Sequence, residues 1–308
     1  MRIALFQPAG DVGPTPAVVT PEGLVLLDSL LGEYRDAQLA MSSLISRFDE
    51  LRPVIEDVVA AGPVVPLGVG RLLPPLPRPT NFLCCIANYW EHVDRPARPL
   101  NLFIKNSDAV IGPGDEISLP RFTEPWIFMH EAELGIVMKG PTKNVEAANW
   151  REAVFGFTGV VDVSARGVGR ATWGAVSWMG KSFDTFAPIG PWITTEDEIP
   201  DPQDLHVRFW SNGQLRHDYN TSDMEHGVPE IVEHVSAIMT LQSGDVIACG
   251  TNHEGLGAVQ DGEHLDFEIE RIGRMSLTVS DPLRRTWDRG VYLGSDSTNQ
   301  VVVNGPRD

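Results

Sequence analysis

The spacing of apolar residues predicts helices near the start of the chain. An amphipathic stripe over Ala37–Leu51 is typical of a helix packed by one face, and Pro53 is expected to end it. A second short helix over Val54–Ala61 should close at Gly62. The proline-rich segment PLPRPT then indicates a linker. Together these signals predict a small N-terminal α/β appendage.

From Asn81 onward the pattern changes to short β-branched runs separated by Gly, Pro, Asn and Asp. Asn212-Gly213, between LHVRFWS and QLRHDY, favours the positive φ values of a tight hairpin turn. Apolar residues at helical spacing over 228–239 predict one helix here, capped by Ser222 or Asp223. This part of the chain is therefore expected to be mainly β.

Further strands are predicted toward the end of the chain. GDVIACGT (244–251) has the composition of a buried strand, and 266–279 indicates two strands broken at Gly273. The polar tail that follows lacks periodicity. We predict an α+β protein with few helices, divided into an appendage, a catalytic domain and a tail over residues 1–75, 76–283 and 284–308.

Composition indicates an ordinary globular protein. With 308 residues, 42% of them hydrophobic, the chain can bury a sizeable core. Its apolar runs are interrupted well before the roughly 18 residues of a membrane span. Its start, MRIALFQPAG, lacks the features of a secretory signal. We therefore expect no membrane partner and a cytoplasmic location.

Charge and cysteine content exclude other classes. A net charge of −18 without a basic stripe argues against nucleic acid as a partner, although anionic small molecules stay possible in a pocket with local cations. Cys84, Cys85 and Cys249 are odd in number and lack zinc-site spacing. We expect them to be reduced, buried thiols.

Three acidic residues stand in apolar surroundings. In HEAELGIV, strand alternation would point Glu131 and Glu133 to the same face, and Asp162 lies in the apolar run GFTGVVDVSAR. Buried like charges are costly unless a cation neutralises them, which favours a hard divalent ion. Two alternatives stay open: an exposed strand edge for the glutamates, and a salt bridge from Asp162 to Arg166.

The chain resembles the fumarylacetoacetate hydrolase superfamily over roughly residues 80–280. The order and spacing of seven segments carry this resemblance. They are NYWEH (88–92), FIKNSDAVIGPGDEISLP (103–120), HEAELGIV (130–137), DVSAR (162–166), GKSFDTFAPIGPW (180–192), NTSDM (220–224) and GDVIACGT (244–251). The resemblance implies a compact mixed-sheet roll that assembles as a homodimer.

The resemblance also implies a metal site in which Glu131, Glu133 and Asp162 hold a divalent cation, Mg²⁺ first, with Mn²⁺ or Ca²⁺ as alternatives. The cation would bind a small keto-acid substrate and stabilise an enolate or alkoxide. Further roles are implied for six residues: His92 in water activation, Lys181 and Arg166 as cations for an oxyanion or a substrate carboxylate, and Tyr89, Lys105 and Thr251 in lining the pocket.

Two departures from the family pattern affect the chemistry. Many relatives carry a glutamate three residues after the histidine, where this chain has Arg95. Glu91, Asp94 and Glu254 are then candidates for the acid beside His92. In GTNHEGLG, His253 and Glu254 replace the usual threonine-proline and glycine pattern, and they are either an alternative acid and base or solvated loop residues.

The resemblance and its departures leave three alternative functions. The first is a hydrolase that cleaves a carbon–carbon bond of a β-diketo acid, such as an acylpyruvate or a fumarylacetoacetate-like compound. The second uses the same metal enolate in a decarboxylase, hydratase or isomerase acting on a 2-keto acid or a 2-hydroxydienoate from aromatic ring cleavage. The third is a non-catalytic metal- and ligand-binding protein, which the loss of the acid at Arg95 would favour.

Overall fold

The structure is a computed structural model that describes residues 1–10, 13–31, 34, 36–121, 126–167 and 178–287. The predicted C-terminal tail lies outside the described residues from 288 onward. The strands are β1 Arg2–Pro8, β2 Thr15–Thr20, β3 Gly23–Leu26, β4 Gly70–Leu73, β5 Phe82–Cys85, β6 Leu102–Ile104, β7 Val110–Ile111, β8 Glu116–Ser118, β9 Trp126–Met129, β10 Ala132–Met138, β11 Val154–Val161, β12 Ser164–Gly167, β13 Ala187–Thr195, β14 His206–Ser211, β15 Gln214–Asn220, β16 Val246–Ala248, β17 His264–Ile269 and β18 Gly273–Ser280. The helices are α1 Asp28–Leu31, α2 Ala37–Ser46, α3 Phe48–Ala61, α4 Trp150–Ala153 and α5 Val228–Ile238.

These elements form the mainly β, mixed-sheet fold that the sequence predicts. Within the described residues, the largest sheet has eleven strands, with β3-β2-β1-β13-β11-β10-β16-β5-β6 as its main path. A second sheet has the order β15-β14-β17-β18-β8, and β9 and β12 form a separate ribbon. Because β16 pairs with β5 in parallel and with β10 antiparallel, the large sheet is mixed.

The large sheet buries apolar side chains on both faces. On one face, Leu134 and Phe157 pack in a cluster with Phe209 and Phe267 of the second sheet. On the other face, Val137 belongs to a cluster that includes side chains of α2 and α3. Burial on both faces explains why β10 and β11 are apolar almost throughout.

The N-terminal residues contribute to the large sheet. β1 lies between β2 and β13, with Arg2 opposite Thr194 and Ile3 opposite Ile193. The terminal amine of Met1 donates to the Thr195 hydroxyl at 2.5 Å. The predicted appendage and the predicted catalytic region are thus joined by backbone hydrogen bonds.

The prediction that Pro53 ends the first helix is wrong. The break falls at Arg47, and Pro53 lies inside α3. Proline removes the hydrogen bond to the carbonyl four residues earlier, that of Asp49, but both residues are exposed, so water can solvate this carbonyl. Burial of Phe48 and Leu51 on the opposite face stabilises the helix across the proline.

Of three other local predictions, the hairpin turn and the break at Gly273 are confirmed, and the cap of α5 is wrong. The hairpin turn is confirmed, with φ of 47° at Asn212 and 75° at Gly213. The cap of α5 is Gly227 rather than Ser222 or Asp223, because those two residues lie in a separate short 3₁₀ turn. The break at Gly273 is confirmed.

The strand predicted over 244–251 shortens to β16, since Gly244 and Gly250 have positive φ values that end it on both sides. The three cysteines are free and buried, as expected. In the described part of the chain, none of the helices is both long and apolar enough to cross a membrane.

Candidate functional site

The three predicted metal ligands lie together at one end of the β10–β11 pair. The strands are antiparallel with Ala132 opposite Val161, so the next residues outward, Glu131 and Asp162, are neighbours. The Asp162 N–H donates to the Glu131 carbonyl at 2.8 Å. Glu133 is two residues along and shares the face of Glu131. One carboxylate oxygen of each residue lies within 4.8 Å of the others, and all three side chains are buried.

Two buried lysines compensate part of this charge. Lys181, at the end of a short 3₁₀ turn, donates to Glu131 at 2.6 Å, to Asp162 at 2.7 Å and to the hydroxyl of Ser164 at 2.5 Å. Lys105 donates to the other oxygen of Asp162 at 2.5 Å and to the backbone carbonyl of Lys181. When all five groups are ionised, this cluster carries an excess of one negative charge.

The donor set fits a divalent cation. Burial, together with the charges of Asp162 and Glu131, raises the pKa of Glu133 well above its usual range, although the Gly250 N–H donates to this carboxylate at 2.7 Å. The site thus lacks the positive charge needed to keep three adjacent carboxylates ionised. Carboxylate oxygens are the ligands that hard divalent cations prefer. The acidic triad could therefore bind such an ion.

Two histidine–glutamate pairs lie between the NYWEH segment and the GTNHEG segment. Glu91 accepts a hydrogen bond from the ring Nδ1 of His253, and a second from its backbone N–H at 2.9 Å. His92 Nε2 lies 3.6 Å from Glu254 Oε1. The first pair has a buried carboxylate, whereas the side chains of His92 and Glu254 are 75% and 55% exposed.

Each histidine faces the glutamate of the opposite segment, which distinguishes among the candidate acids near His92. Glu254 is opposite His92, Glu91 contacts His253 instead, and Asp94 is exposed to solvent. Asp223 links the two segments by accepting hydrogen bonds from the Glu91 N–H at 3.1 Å and from the Asn252 side chain at 2.8 Å. The sequence predicted Asp223 only as a possible helix cap and not as a residue of this site, although it lies in the NTSDM segment.

Arg95 has a structural environment that the sequence did not reveal. Its guanidinium binds the buried carboxylate of Glu225, which also accepts hydrogen bonds from Arg98. Burial of Glu225 opposes its ionisation, but the hydrogen bonds from the two arginines lower its pKa to about 2. Arg95 also donates to the Tyr89 carbonyl, so it fixes the loop after His92 to Glu225.

The remaining predicted site residues have different surroundings. Tyr89 is fully buried and packs edge-on against Tyr219, with ring centroids 5.2 Å apart. Thr251 is also buried, and its hydroxyl donates to the Asn252 carbonyl at 3.2 Å. Arg166 lies on β12, where its backbone is opposite Ile127, and its side chain is outside the described part of the structure.

The large mixed sheet carries a buried carboxylate triad that could bind a divalent cation, with two lysines beside it, and such a site would suit a metal-dependent enzyme. Residues 81–280 match the model of the fumarylacetoacetate hydrolase C-terminal domain. The chain therefore belongs to the fumarylacetoacetate hydrolase family, and it shares the enzymatic character of that family.

Comparison with individual relatives gives a similar result. A maleylpyruvate hydrolase from Aquipseudomonas alcaligenes is 32% identical over 267 residues, which are 82% of this chain and 90% of that protein. A mitochondrial oxaloacetate tautomerase from Bos taurus is 31% identical over 287 residues, which are 89% and 90% of the two chains. A maleylpyruvate hydrolase structure from Sphingobium sp. SYK-6, in complex with manganese(II) and pyruvate, has a TM-score of 0.80 and 33% identity, covering 91% of this chain and 99% of that one.

Proposed function

We propose that the protein is a metal-dependent hydrolase that cleaves a carbon–carbon bond of a β-diketo acid, such as an acylpyruvate or a fumarylacetoacetate-like compound. The observation that carries this proposal is the buried cluster of three carboxylates and two lysines. A divalent cation would change its excess of one negative charge into an excess of one positive charge. Such a site suits a small anionic keto acid.

Glu131, Glu133 and Asp162 would hold the cation, for which we propose Mg²⁺, with Mn²⁺ or Ca²⁺ as alternatives. When bound, the cation would supply Lewis-acid polarisation of the keto-acid oxygens. Lys181 is held by three hydrogen bonds in the same cluster, so its charge is fixed in place to stabilise an oxyanion.

Water activation is assigned to His92. Its ring takes a proton from water, and Glu254 orients the ring and stabilises the charge that develops on it. The observed separation of 3.6 Å is longer than a hydrogen bond, and contacts of this kind often tighten only when substrate is bound. Arg166 remains our candidate for holding a substrate carboxylate.

The relatives support hydrolysis. Two of the similar proteins are maleylpyruvate hydrolases, and one of these was crystallised with manganese(II) and pyruvate. Hydrolysis of an acylpyruvate gives pyruvate and a carboxylic acid, so a 2-keto acid of this kind is the product that the proposed reaction would release.

Product analysis tests the proposal. The protein is treated with chelator, resupplied with Mg²⁺ or Mn²⁺, and incubated with acetylpyruvate while ¹H NMR follows the products. We expect acetate and pyruvate in equal amounts, formed only when metal is present. Metal-loaded protein that leaves acetylpyruvate intact would exclude this proposal for simple acylpyruvates, and maleylpyruvate would then be tested in the same way.

A second candidate is an isomerase or decarboxylase that uses the same enolate without attack by water. The similarity to an oxaloacetate tautomerase over 89% of the chain favours it. Oxaloacetate is the discriminating substrate. Keto–enol conversion without carbon loss would identify a tautomerase, and carbon dioxide with pyruvate would identify a decarboxylase.

A further inference from the structure

The Glu91–His253 pair, in which the carboxylate is buried, has the features of a carboxylate that orients a histidine. One carboxylate oxygen of Glu91 accepts hydrogen bonds from both the ring Nδ1 and the backbone N–H of His253. The Glu91 side chain is 3% exposed and that of His253 is 22% exposed. The carboxylate thus fixes both the ring and the main chain of His253, while part of the ring stays accessible.

Backbone contacts link this pair to the acidic triad. The Gly250 N–H donates to Glu133 at 2.7 Å, and His253 follows only three residues later. Three residues of chain span at most about 11 Å. The Cα atom of His253 therefore lies at most about 11 Å from that of Gly250, the residue that contacts the triad.

The conformation of the opposite loop favours a functional role. Glu91 and His92 have φ values of 55° and 59°, although neither is glycine. Left-handed backbone is unfavourable for residues that carry a Cβ atom, and such strain persists where surrounding contacts enforce it. The hydrogen bond from the Glu91 N–H to Asp223 and those from His253 to the Glu91 carboxylate are contacts of this kind.

A carboxylate at Nδ1 selects the neutral imidazole tautomer with hydrogen on Nδ1, which makes Nε2 the basic nitrogen. On the basis of the proposed hydrolysis, we infer that His253 is a second proton-transfer residue of this site and that Glu91 is its positioning residue. Hydrolysis of a β-diketo acid requires two proton transfers, one at oxygen and one at carbon. His92 performs the first, and His253 performs the second.

The proton balance is as follows. His92 removes a proton from water as the water oxygen bonds to the distal carbonyl carbon. The carbon–carbon bond breaks, and its electron pair remains on the departing enolate. The enolate carbon takes a proton from Nε2 of protonated His253, which returns to the neutral Nδ1–H form that Glu91 binds. His92 then gives its proton to solvent and His253 takes one from solvent, so one water is consumed.

Two measurements test this inference. The first is ¹⁵N NMR of the imidazole rings in the metal-free wild-type protein, with the His253 signal assigned by its absence from H253Q. We expect the Nδ1–H tautomer in the wild type and a shift toward Nε2–H in E91Q. A wild-type ring in the Nε2–H form would overturn the inference, and this result needs no substrate.

The second measurement follows exchange of the methyl hydrogens of pyruvate with D₂O in the presence of Mg²⁺. This exchange needs proton transfer at carbon but no carbon–carbon cleavage. We expect H253Q to slow it by roughly 100-fold, the lower end of the range typical of general acid–base groups. E91Q should slow it by less, about tenfold, because Glu91 acts only through the orientation of His253. The matched control D218N, which removes the carboxylate of the exposed His206–Asp218 pair, should exchange at the wild-type rate.

The outcomes separate the inference from the proposed function. Exchange that depends on His253 in a protein unable to hydrolyse acetylpyruvate would support the proton-transfer role and reject the hydrolase. Equal exchange rates in wild type and H253Q, or no exchange in the wild type, would overturn the role of His253 even if hydrolysis is observed.

Discussion

Lys181 donates a 2.7 Å hydrogen bond to Asp162, one of the three carboxylates proposed to hold the cation. A lysine in this position neutralises charge that would otherwise attract the metal. Lys181 should therefore favour the reaction but weaken metal binding.

The variant K181M is expected to bind Mg²⁺ more tightly and to react more slowly. Removing a unit positive charge a few ångströms from the site should raise the metal affinity by roughly tenfold or more. Loss of a fixed oxyanion-stabilising charge should lower kcat by about 10²–10³. Isothermal titration calorimetry and steady-state kinetics measure the two effects, with K139M, at the half-exposed Lys139–Asp49 pair, as control. Weaker metal binding in K181M would contradict the charge argument.

The variant E133Q is expected to lose stabilisation by metal. A ligand at 100 times its Kd stabilises a folded protein by about 2.7 kcal/mol, which should raise the wild-type Tm by several degrees. E133Q should show no such increase, because it removes one of three ligands. Thermal unfolding after chelation, with and without Mn²⁺, measures this difference. E263Q changes a buried glutamate outside the triad and should keep the wild-type response; an unchanged response in E133Q would reject its assignment as a ligand.

Stability should fall in acid because of His217. Burial lowers the pKa of this histidine to about 4, whereas an unfolded histidine titrates near 6.5. The unfolded state thus binds more protons between these values, so stability present above pH 6.5 is lost as the pH falls toward 4. The loss should approach about 3 kcal/mol.

The variant H217Q cannot titrate at this position and should flatten the dependence of unfolding free energy on pH across that window. Urea unfolding at pH 7, 5.5 and 4.5 measures this slope. H264Q, at an exposed histidine, should keep the wild-type slope. Parallel slopes for wild type and H217Q would show that other groups cause the acid sensitivity.

Gly255 is required by the loop that carries His253 and Glu254. Its φ is +81°, and a Cβ atom there would lie 1.7 Å from the carbonyl oxygen of Arg216. G255A should destabilise the protein by more than the roughly 1–2 kcal/mol of a strained backbone alone, and it should lower kcat by displacing both side chains. Gly262 has a φ of +72° and open space around it, so G262A is the matched control for unfolding and kinetics. Equal losses of stability and of kcat in G255A and G262A would show that the clash at Gly255 is relieved without moving the loop.

Much of the fold and the gathering of the acidic residues could be predicted from the sequence. Strand alternation placed Glu131 and Glu133 on one face, and the ordered motifs associated Asp162 with them. The first signal is local, because alternation depends only on neighbouring residues of one strand. The second comes from the family resemblance over residues 80–280. The assignment of these three residues as metal ligands stays a prediction.

The features that the sequence could not predict depend on distant contacts. The helix through Pro53 is held by the burial of Phe48 and Leu51, which outweighs the local preference of proline. The pairing of Glu91 with His253 joins residues 162 positions apart. It also needs left-handed backbone at two residues that are not glycine, and neither condition leaves a pattern in the sequence.

The pairing of β1 with β13 affects whether the N-terminal region can be removed or exchanged as a separate module. Removing the first 75 residues would uncover an edge of β13 and the apolar face that Ile3 and Leu5 cover. Open strand edges of this kind promote association between chains. The N-terminal region therefore completes the large sheet that carries the proposed metal site, and we expect a transplant of this site to another scaffold to need a replacement for β1.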